Sequence, residues 1–206
     1  MIHFTHPSTF LISGPTGSGK TSFIVKLLNQ DLISPSPSRI ILIYNEFQTI
    51  YETINKPVEY KTTLDETFYS TLNPSINNLI VLDDKMSNIG NSGLLSKLFT
   101  EGSHHRNLSV IYIVQNLFDK GKSHRSVSLN AQYLVLFKNP RDCAQVQCLA
   151  RQMYPNKTKF LVDSFTDATK EPYGYLTIDL RPETDDSVRV RTKVFKGEIC
   201  EVYQPI

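Results

Sequence analysis

The chain has 206 residues, 40% of them hydrophobic and 20% charged, an ordinary globular balance that excludes a disordered or fibrous protein and suits one sizeable domain over residues 1–206. A formal net charge of +2 excludes a global field for nucleic acid, so any such contact has to come from local clusters. Cys143, Cys148 and Cys200 form no CxxC pair, which speaks against a disulfide framework or zinc knuckle and for a reducing, intracellular compartment.

The N-terminus, Met1 to Pro7, lacks the charged and then apolar stretches of a secretory leader. No apolar run approaches the roughly 20 residues that span a bilayer, so a soluble protein without a membrane partner is expected. Thr9–Ser13 is the first of five short apolar runs rich in β-branched or aromatic residues, too short for helices and suited to buried strands. Arg39–Tyr44, Asn78–Asp83, Leu108–Gln115 and Tyr133–Lys138 are the others. Between them, Phe23, Ile24, Leu27 and Leu28 mark one helical face, Leu94, Leu95, Leu98 and Phe99 a second, and Val146, Leu149, Ala150 and Met153 a third. The polar stretch Ser34 to Ser38, with prolines at 35 and 37, is expected to be the loop that ends the first helix.

Strands alternating with helices predict an α/β fold with a mostly parallel sheet covered on both faces. The end of the chain changes character. Tyr173–Leu180 and Val188–Phe195 alternate around the polar segment Arg181 to Asp186, which predicts a C-terminal β-hairpin.

The first strand leads into Gly14-Pro15-Thr16-Gly17-Ser18-Gly19-Lys20-Thr21, which fits G-x-x-x-x-G-K-[ST] in the strand–loop–helix context that a P-loop requires. Glycines allow backbone N–H groups to close around phosphate oxygens, and the helix N-terminus adds partial positive charge. Gly14 to Thr21, with Ser22 beside them, are the expected ATP-binding residues. Lys20 is expected on the β- and γ-phosphates, and the Thr21 hydroxyl on Mg²⁺.

Such a loop needs a carboxylate partner for the metal. Asp83 and Asp84 end the third strand; Asp83 is the expected Mg²⁺ partner, through water, and Asp84 is placed to orient or deprotonate the attacking water. Gln115 ends the fourth strand, at the edge where open α/β sheets bind ligands, and can bridge the γ-phosphate and that water.

These features together resemble the HerA/FtsK superfamily of DNA-pumping ATPases. The resemblance runs from about Thr9 to Phe195 and is closest to the packaging ATPases of polinton-like viruses and adintoviruses, relatives of the poxvirus and adenovirus-like packaging enzymes. It is carried by Phe99 to Val110, including His104-His105-Arg106-Asn107, by Gln115 to Phe118, by Ser128 to Asp142, and by Pro172-Tyr173-Gly174-Tyr175-Leu176. It implies a P-loop NTPase sheet of order 5-1-4-3-2, which sets the Gln115 strand between those of Lys20 and Asp83. Family members often have Asp-Glu where this chain has Asp83-Asp84.

The resemblance further implies a homo-oligomeric ring that drives double-stranded DNA into a preformed viral capsid inside an infected host cell, with a capsid or portal vertex protein as partner. A neighbouring subunit's arginine then completes each site; Arg106 is the favoured candidate, followed by Arg141 and Arg125. The segment Asp119 to Arg125 concentrates Lys120, Lys122, His124 and Arg125 just after the Gln115 strand, and Lys120, Lys122 and Arg125 are the expected DNA contacts. His104 and His105 have no matching acid or cysteine cluster and fit a metal site poorly.

Two other functions use the same loop. A small nucleotide kinase needs an arginine-rich lid, which the sequence does not offer; a nucleotide-gated binding protein binds ATP tightly and turns it over negligibly.

Overall fold

A strand buried on both faces needs mostly apolar side chains, and the five runs meet that demand by sending alternate residues to opposite cores, with Thr9, Ser13, Arg39, Asn78 and Ser109 as polar positions toward their ends. The computed structural model describes residues 3–83, 93–102, 106–118 and 122–205. In chain order the elements begin with β1 (Phe4–Thr5), β2 (Thr9–Ser13), α1 (Lys20–Asn29), β3 (Ile33–Ser34), β4 (Arg39–Ile43), a 3-10 turn (Thr49–Thr53), β5 (Glu59–Lys61) and α2 (Glu66–Ser70). There follow β6 (Asn78–Leu82), α3 (Gly93–Lys97) with a π-helical turn (Leu98–Gly102), β7 (Leu108–Val114), α4 (Lys122–Asn130), β8 (Tyr133–Phe137), α5 (Ala144–Met153) and α6 (Thr158–Ala168). The chain closes with β9 (Tyr175–Asp179), a 3-10 turn (Asp186–Val188), β10 (Val190–Thr192) and β11 (Glu201–Tyr203).

Among the described residues the main sheet has nine strands in the order β11-β10-β9-β8-β2-β7-β6-β4-β5. The five expected strands occupy its centre as β8-β2-β7-β6-β4, the order 5-1-4-3-2. Short edge strands not foreseen in the sequence extend it: β5 pairs parallel with β4, and β11 pairs antiparallel with β10. β1 and β3 form a separate parallel pair.

The two cores divide each strand by parity. Leu11, Ile80, Leu82, Val110, Tyr112 and Leu134 face one core, with Leu94, Leu95, Leu98, Phe99, Leu149 and Ala150 packed against them. Phe10, Ile12, Leu79, Val81, Ile111 and Val135 face the other, against Phe23, Ile24, Leu27 and Leu28 of α1. Each such fully buried side chain contributes about 1.5–3 kcal/mol, so the helical faces expected from the spacing are the ones the sheet holds.

Two expectations need correction. The Ser34–Ser38 loop does not end the first helix; α1 stops at Asn29 in a Schellman motif. Asp31 takes the left-handed conformation (φ 54°), its N–H donates to Leu28 O at 3.2 Å, and Leu32 N–H donates to Leu27 O at 3.2 Å. The C-terminal hairpin forms through antiparallel β9 and β10, but its second strand is shorter than Val188–Phe195. Asp185 caps the 3-10 turn by accepting from Ser187 N–H, and Lys193, at φ 54°, breaks the strand on the other side.

A buried ion cluster locks this hairpin to the sheet. The Asp179 side chain is fully buried and takes Arg181 Nη2 at 2.8 Å and Arg191 Nη2 at 3.0 Å; the Arg181 guanidinium also lies 5.0 Å from the Tyr133 ring centre. Burial alone raises the Asp179 carboxyl, but the hydrogen bonds and charge of Arg181 outweigh it and hold the group below the usual 3.8. Removing one member of such a cluster strands the others, so Asp179→Asn is expected to lower unfolding free energy by roughly 3–5 kcal/mol in urea titrations at pH 7. A carboxyl lowered in the folded state stabilises above its unfolded pKa and ceases to as pH falls through the folded value. The gap between wild type and Asp179→Asn is therefore expected to narrow below pH 3.8.

Candidate nucleotide site

Parallel pairing brings the strands' carboxyl ends to one edge of the sheet. β2 pairs with β7 through Ser13↔Val114 and with β8 through Ser13↔Leu136, and β6 lies beyond β7. The residues that follow these strands, Gly14, Gln115 and Asp83, emerge together, as do Asn45 and Glu46 after β4. This is the edge where open α/β sheets bind ligands.

The loop from Gly14 to Gly19 extends the ladder before it turns. Gly14 N–H donates to Val114 O at 3.2 Å, and Ser18 N–H to Pro15 O at 3.2 Å. Glycine is required here for two different reasons. A Cβ on Gly14 meets Phe137 Cβ and Ser18 Oγ, each at 2.7 Å, whereas Gly17 and Gly19 hold left-handed backbones at φ 78° and 105°. Gly19 opens α1, and its carbonyl accepts the first helical bond from Phe23 N–H at 2.9 Å. The first turn of α1 has no acidic residue and no side-chain cap, so its N–H groups and the helix dipole present an uncompensated positive end, which suits an anion. Ser18 Oγ is buried here without a hydrogen-bond partner among the described residues.

Lys20 is nearly buried and folds back on the loop, Nζ donating to the carbonyls of Gly14 at 2.6 Å and Pro15 at 2.9 Å. An ammonium in a polar cleft held by two carbonyl dipoles is positioned for negatively charged oxygens. Lys20, Thr16, Thr21, Glu46, Asp83 and Gln115 line one cleft of about 290 Å³. Lys20, Thr21, Asp83 and Gln115, separated by up to 95 residues of chain, thus line one cleft. A hydroxyl and a carboxylate in one cleft are oxygen donors of the kind that hard dications take.

Asp83 is held by residues that sequence reasoning passed over. Its Oδ2 accepts from Gln48 Nε2 at 2.9 Å and from the Tyr51 hydroxyl. Burial, and then the hydrogen bond to Asp83, drive the Tyr51 phenol pKa upward, so Tyr51 remains a donor across the working pH range. Tyr51 packs edge-on against Phe47, ring centres 5.6 Å apart. The signal was available: residues 45–48 directly follow a strand end on the ligand-binding edge.

Other expected residues lie elsewhere. Arg106 precedes β7, at the opposite edge of the sheet, with its guanidinium 5.4 Å from the Tyr69 ring centre and Nη1 donating to Leu72 O at 3.5 Å. Arg141 is exposed after β8, on the same edge as the loop. Asp84, Lys120, His104 and His105 lie outside the described residues, as do the side chains of Lys122 and Arg125. From Lys122 onward the expected basic loop is helical, forming α4.

The fold and this cleft define a P-loop NTPase fold: a mostly parallel sheet in the 5-1-4-3-2 order with the glycine loop between β2 and α1. No protein-family model and no curated protein matches the sequence, so comparison rests on shape. The chain is similar to B204, the DNA-packaging ATPase of Sulfolobus turreted icosahedral virus, with a TM-score of 0.55 at 13% identity, covering 97% of this chain and 98% of that one. It is likewise similar to the genome packaging NTPase B204 of Sulfolobus turreted icosahedral virus 2 in complex with ATP-gammaS, with a TM-score of 0.54 at 13% identity over 97% of both chains.

The contact at Gly14 gives a direct test of the loop. Phe137 Cβ cannot swing away as a side-chain tip can, so Gly14→Ala is expected to cost about 1–3 kcal/mol through overpacking. Gly17→Ala meets nothing within 4 Å and carries only the left-handed backbone penalty, about 1–2 kcal/mol. Thermal melts of both variants check this; no change in Tm for Gly14→Ala would refute the close packing.

Proposed function

We propose that this protein is an ATP-hydrolysing motor subunit that drives double-stranded viral DNA into a preformed capsid. The observation that carries the reading is the meeting of Lys20, Thr21, Asp83 and Gln115 in one cleft at the mouth of a P-loop. The full-length likeness to genome-packaging NTPases supports this activity over a kinase that shares only the loop. In this reading the subunits form a ring around DNA inside an infected cell and act with a capsid or portal vertex protein. The lineage is that of the polinton-like virus and adintovirus enzymes.

Residues Gly14 to Ser22 surround the triphosphate with backbone N–H groups and the start of α1. Lys20 exchanges the Gly14 and Pro15 carbonyls for phosphate oxygens, so its charge follows the electrons that build up as the terminal phosphoryl leaves. Thr21 and, through water, Asp83 are the residues that would hold Mg²⁺, which offsets charge on the β- and γ-phosphates. Gln48 and Tyr51 keep the Asp83 carboxylate oriented, as partners behind a metal-binding residue do. Asp84 accepts the proton of the attacking water and Gln115 orients that water. The new bond joins water oxygen to phosphorus as the bond to ADP breaks. Arg106 or Arg141 is the arginine offered to a neighbouring subunit's site.

Lys20→Ala is expected to abolish hydrolysis while leaving the melting temperature close to wild type. Asp84→Asn is expected to bind MgATP nearly normally and to hydrolyse it roughly 10²-fold more slowly, the usual scale for a lost general base. Asp83→Asn instead weakens the Mg²⁺ dependence of binding and turnover together. Mg²⁺ titrations of nucleotide binding and of phosphate release separate the two acids; normal turnover in Asp84→Asn overturns the assignment. Phosphoryl transfer to nucleoside monophosphates in the same assay would identify a kinase.

DNA contact is assigned to Lys120, Lys122 and Arg125. Replacing all three with Ala is expected to lower DNA affinity and to flatten its salt dependence by about one released counterion per lost phosphate contact. Basal ATPase without DNA stays near wild type. An unchanged salt slope, read by fluorescence anisotropy across a salt series, places the DNA surface elsewhere.

A further inference from the structure

The glycine loop borders a second cleft that the phosphate chemistry leaves unused. It has a volume of about 450 Å³ and is lined by Gly17, Ser18, Lys138, Lys170, Tyr173 and Gly174. Gly17 also lines the cleft that holds Lys20 and Gln115, so the two clefts adjoin across the loop. A ligand spanning both clefts across Gly17 would reach from Lys20, Asp83 and Gln115 on one side to Tyr173 on the other.

Tyr173 is unusual in three respects. Its backbone is left-handed, at φ 63°, a conformation uncommon for a bulky residue. Its side chain is 72% exposed, so burial does not explain the aromatic ring. The ring nevertheless sits on the loop: a Cβ on Gly19 falls 3.3 Å from Tyr173 Cδ1 and 3.4 Å from Phe137 Cε1.

The turn that presents the ring is held firmly at both ends. Thr169 is buried and its hydroxyl donates to Phe165 O at 2.7 Å. Gly174 N–H donates to Glu171 O at 3.1 Å, and a Cβ on Gly174 falls 2.5 Å from Ala168 O, leaving that position to glycine. Beyond it, Tyr175 is anchored in the core, with its ring centre 4.9 Å from that of Phe23 and its hydroxyl accepting from Val194 N–H at 3.0 Å. A rigid turn thus displays a flat, solvent-facing aromatic surface beside the phosphate loop.

We propose that Tyr173 is the stacking platform for the base of the bound nucleotide, which lies in this second cleft beside Ser18 and Lys138. The inference rests on the nucleotide-binding function proposed above and locates the part of the ligand that the Lys20 cleft does not take. Every nucleobase has a face that an aromatic ring can stack against, so the platform contributes affinity for nucleotides over bare polyphosphate.

The test compares dissociation constants for ATP and for inorganic tripolyphosphate, measured by calorimetry with Mg²⁺ held constant. Tyr173→Ala is expected to weaken ATP roughly tenfold while leaving tripolyphosphate unchanged, and Tyr173→Phe to restore ATP affinity. Lys20→Ala weakens both ligands. Equal loss of both ligands in Tyr173→Ala, or no loss of either, overturns the platform. Unchanged binding of both ligands in Lys20→Ala overturns the underlying phosphate-site reading. The chain has no tryptophan, so Tyr173→Trp places a single indole at the platform; its fluorescence is expected to change with ATP and not with tripolyphosphate. An indole that responds equally to the two refutes stacking, whatever the alanine variant does.

Discussion

Parallel pairing of β2 with β7 on one side and β8 on the other sets the height at which everything else at the carboxyl edge appears. In register, Ser13 lies beside Val114 and Leu136, so the next residue along each strand, Gly14, Gln115 and Phe137, emerges at one level. Phe137 then occupies the space that a side chain at position 14 needs. The loop can leave the sheet there only as glycine, whose own N–H continues the ladder by donating to Val114 O at 3.2 Å. A slip of one residue between β2 and β7 would send the slipped strand's side chains to the wrong core and shift Gln115 relative to the loop that carries Lys20.

The electrostatics of this edge follow from what the strands withhold. A helix end without an acidic first turn and a lysine resting on two carbonyls make a local positive site in a chain whose formal net charge is only +2. The negative side of the cleft is Glu46 together with Asp83, the latter held by Gln48 and the buried Tyr51. Burial and the hydrogen bond to Asp83 push the Tyr51 phenol up, so it supports that carboxylate as a neutral donor and adds no charge.

Much of this was legible in the sequence because it depends on short-range spacing. The glycine–lysine–threonine spacing, the acid ending the Asn78 strand and the glutamine ending the Leu108 strand are each fixed by their neighbours, and the strand order followed from the family resemblance. What was not legible depends on distant folding. Tyr51 reaches Asp83 across 32 residues from a 3-10 turn without an amphipathic period, and Tyr173 becomes a surface only through a left-handed turn. The helix α6 has Leu161 and Ala168 buried at helical spacing, but Thr158, Val162 and Thr166 are β-branched and weaken the helical signal. The edge strands β5 and β11 have three residues each, too few for an alternating pattern to stand out.

Stability and chemistry separate to opposite ends of the same strands. At the amino edge, side chains tie neighbouring segments together: Asn78 Nδ2 donates to the carbonyls of Asn73, Ile76 and Arg106, while its Oδ1 is buried without a partner among the described residues, and His6 bonds Ser109 Oγ at 2.6 Å and Asn107 Oδ1 at 3.1 Å. Burial holds the His6 imidazole below its ordinary pKa, so it acts there as a neutral tie. At the carboxyl edge, Ser18 Oγ, the first N–H groups of α1 and the Lys20 ammonium face a cleft in place of a second strand or helix. Ser18 Oγ is buried there without a hydrogen-bond partner among the described residues, and such a group costs about 1–3 kcal/mol, a cost that an acceptor on a bound anion would offset.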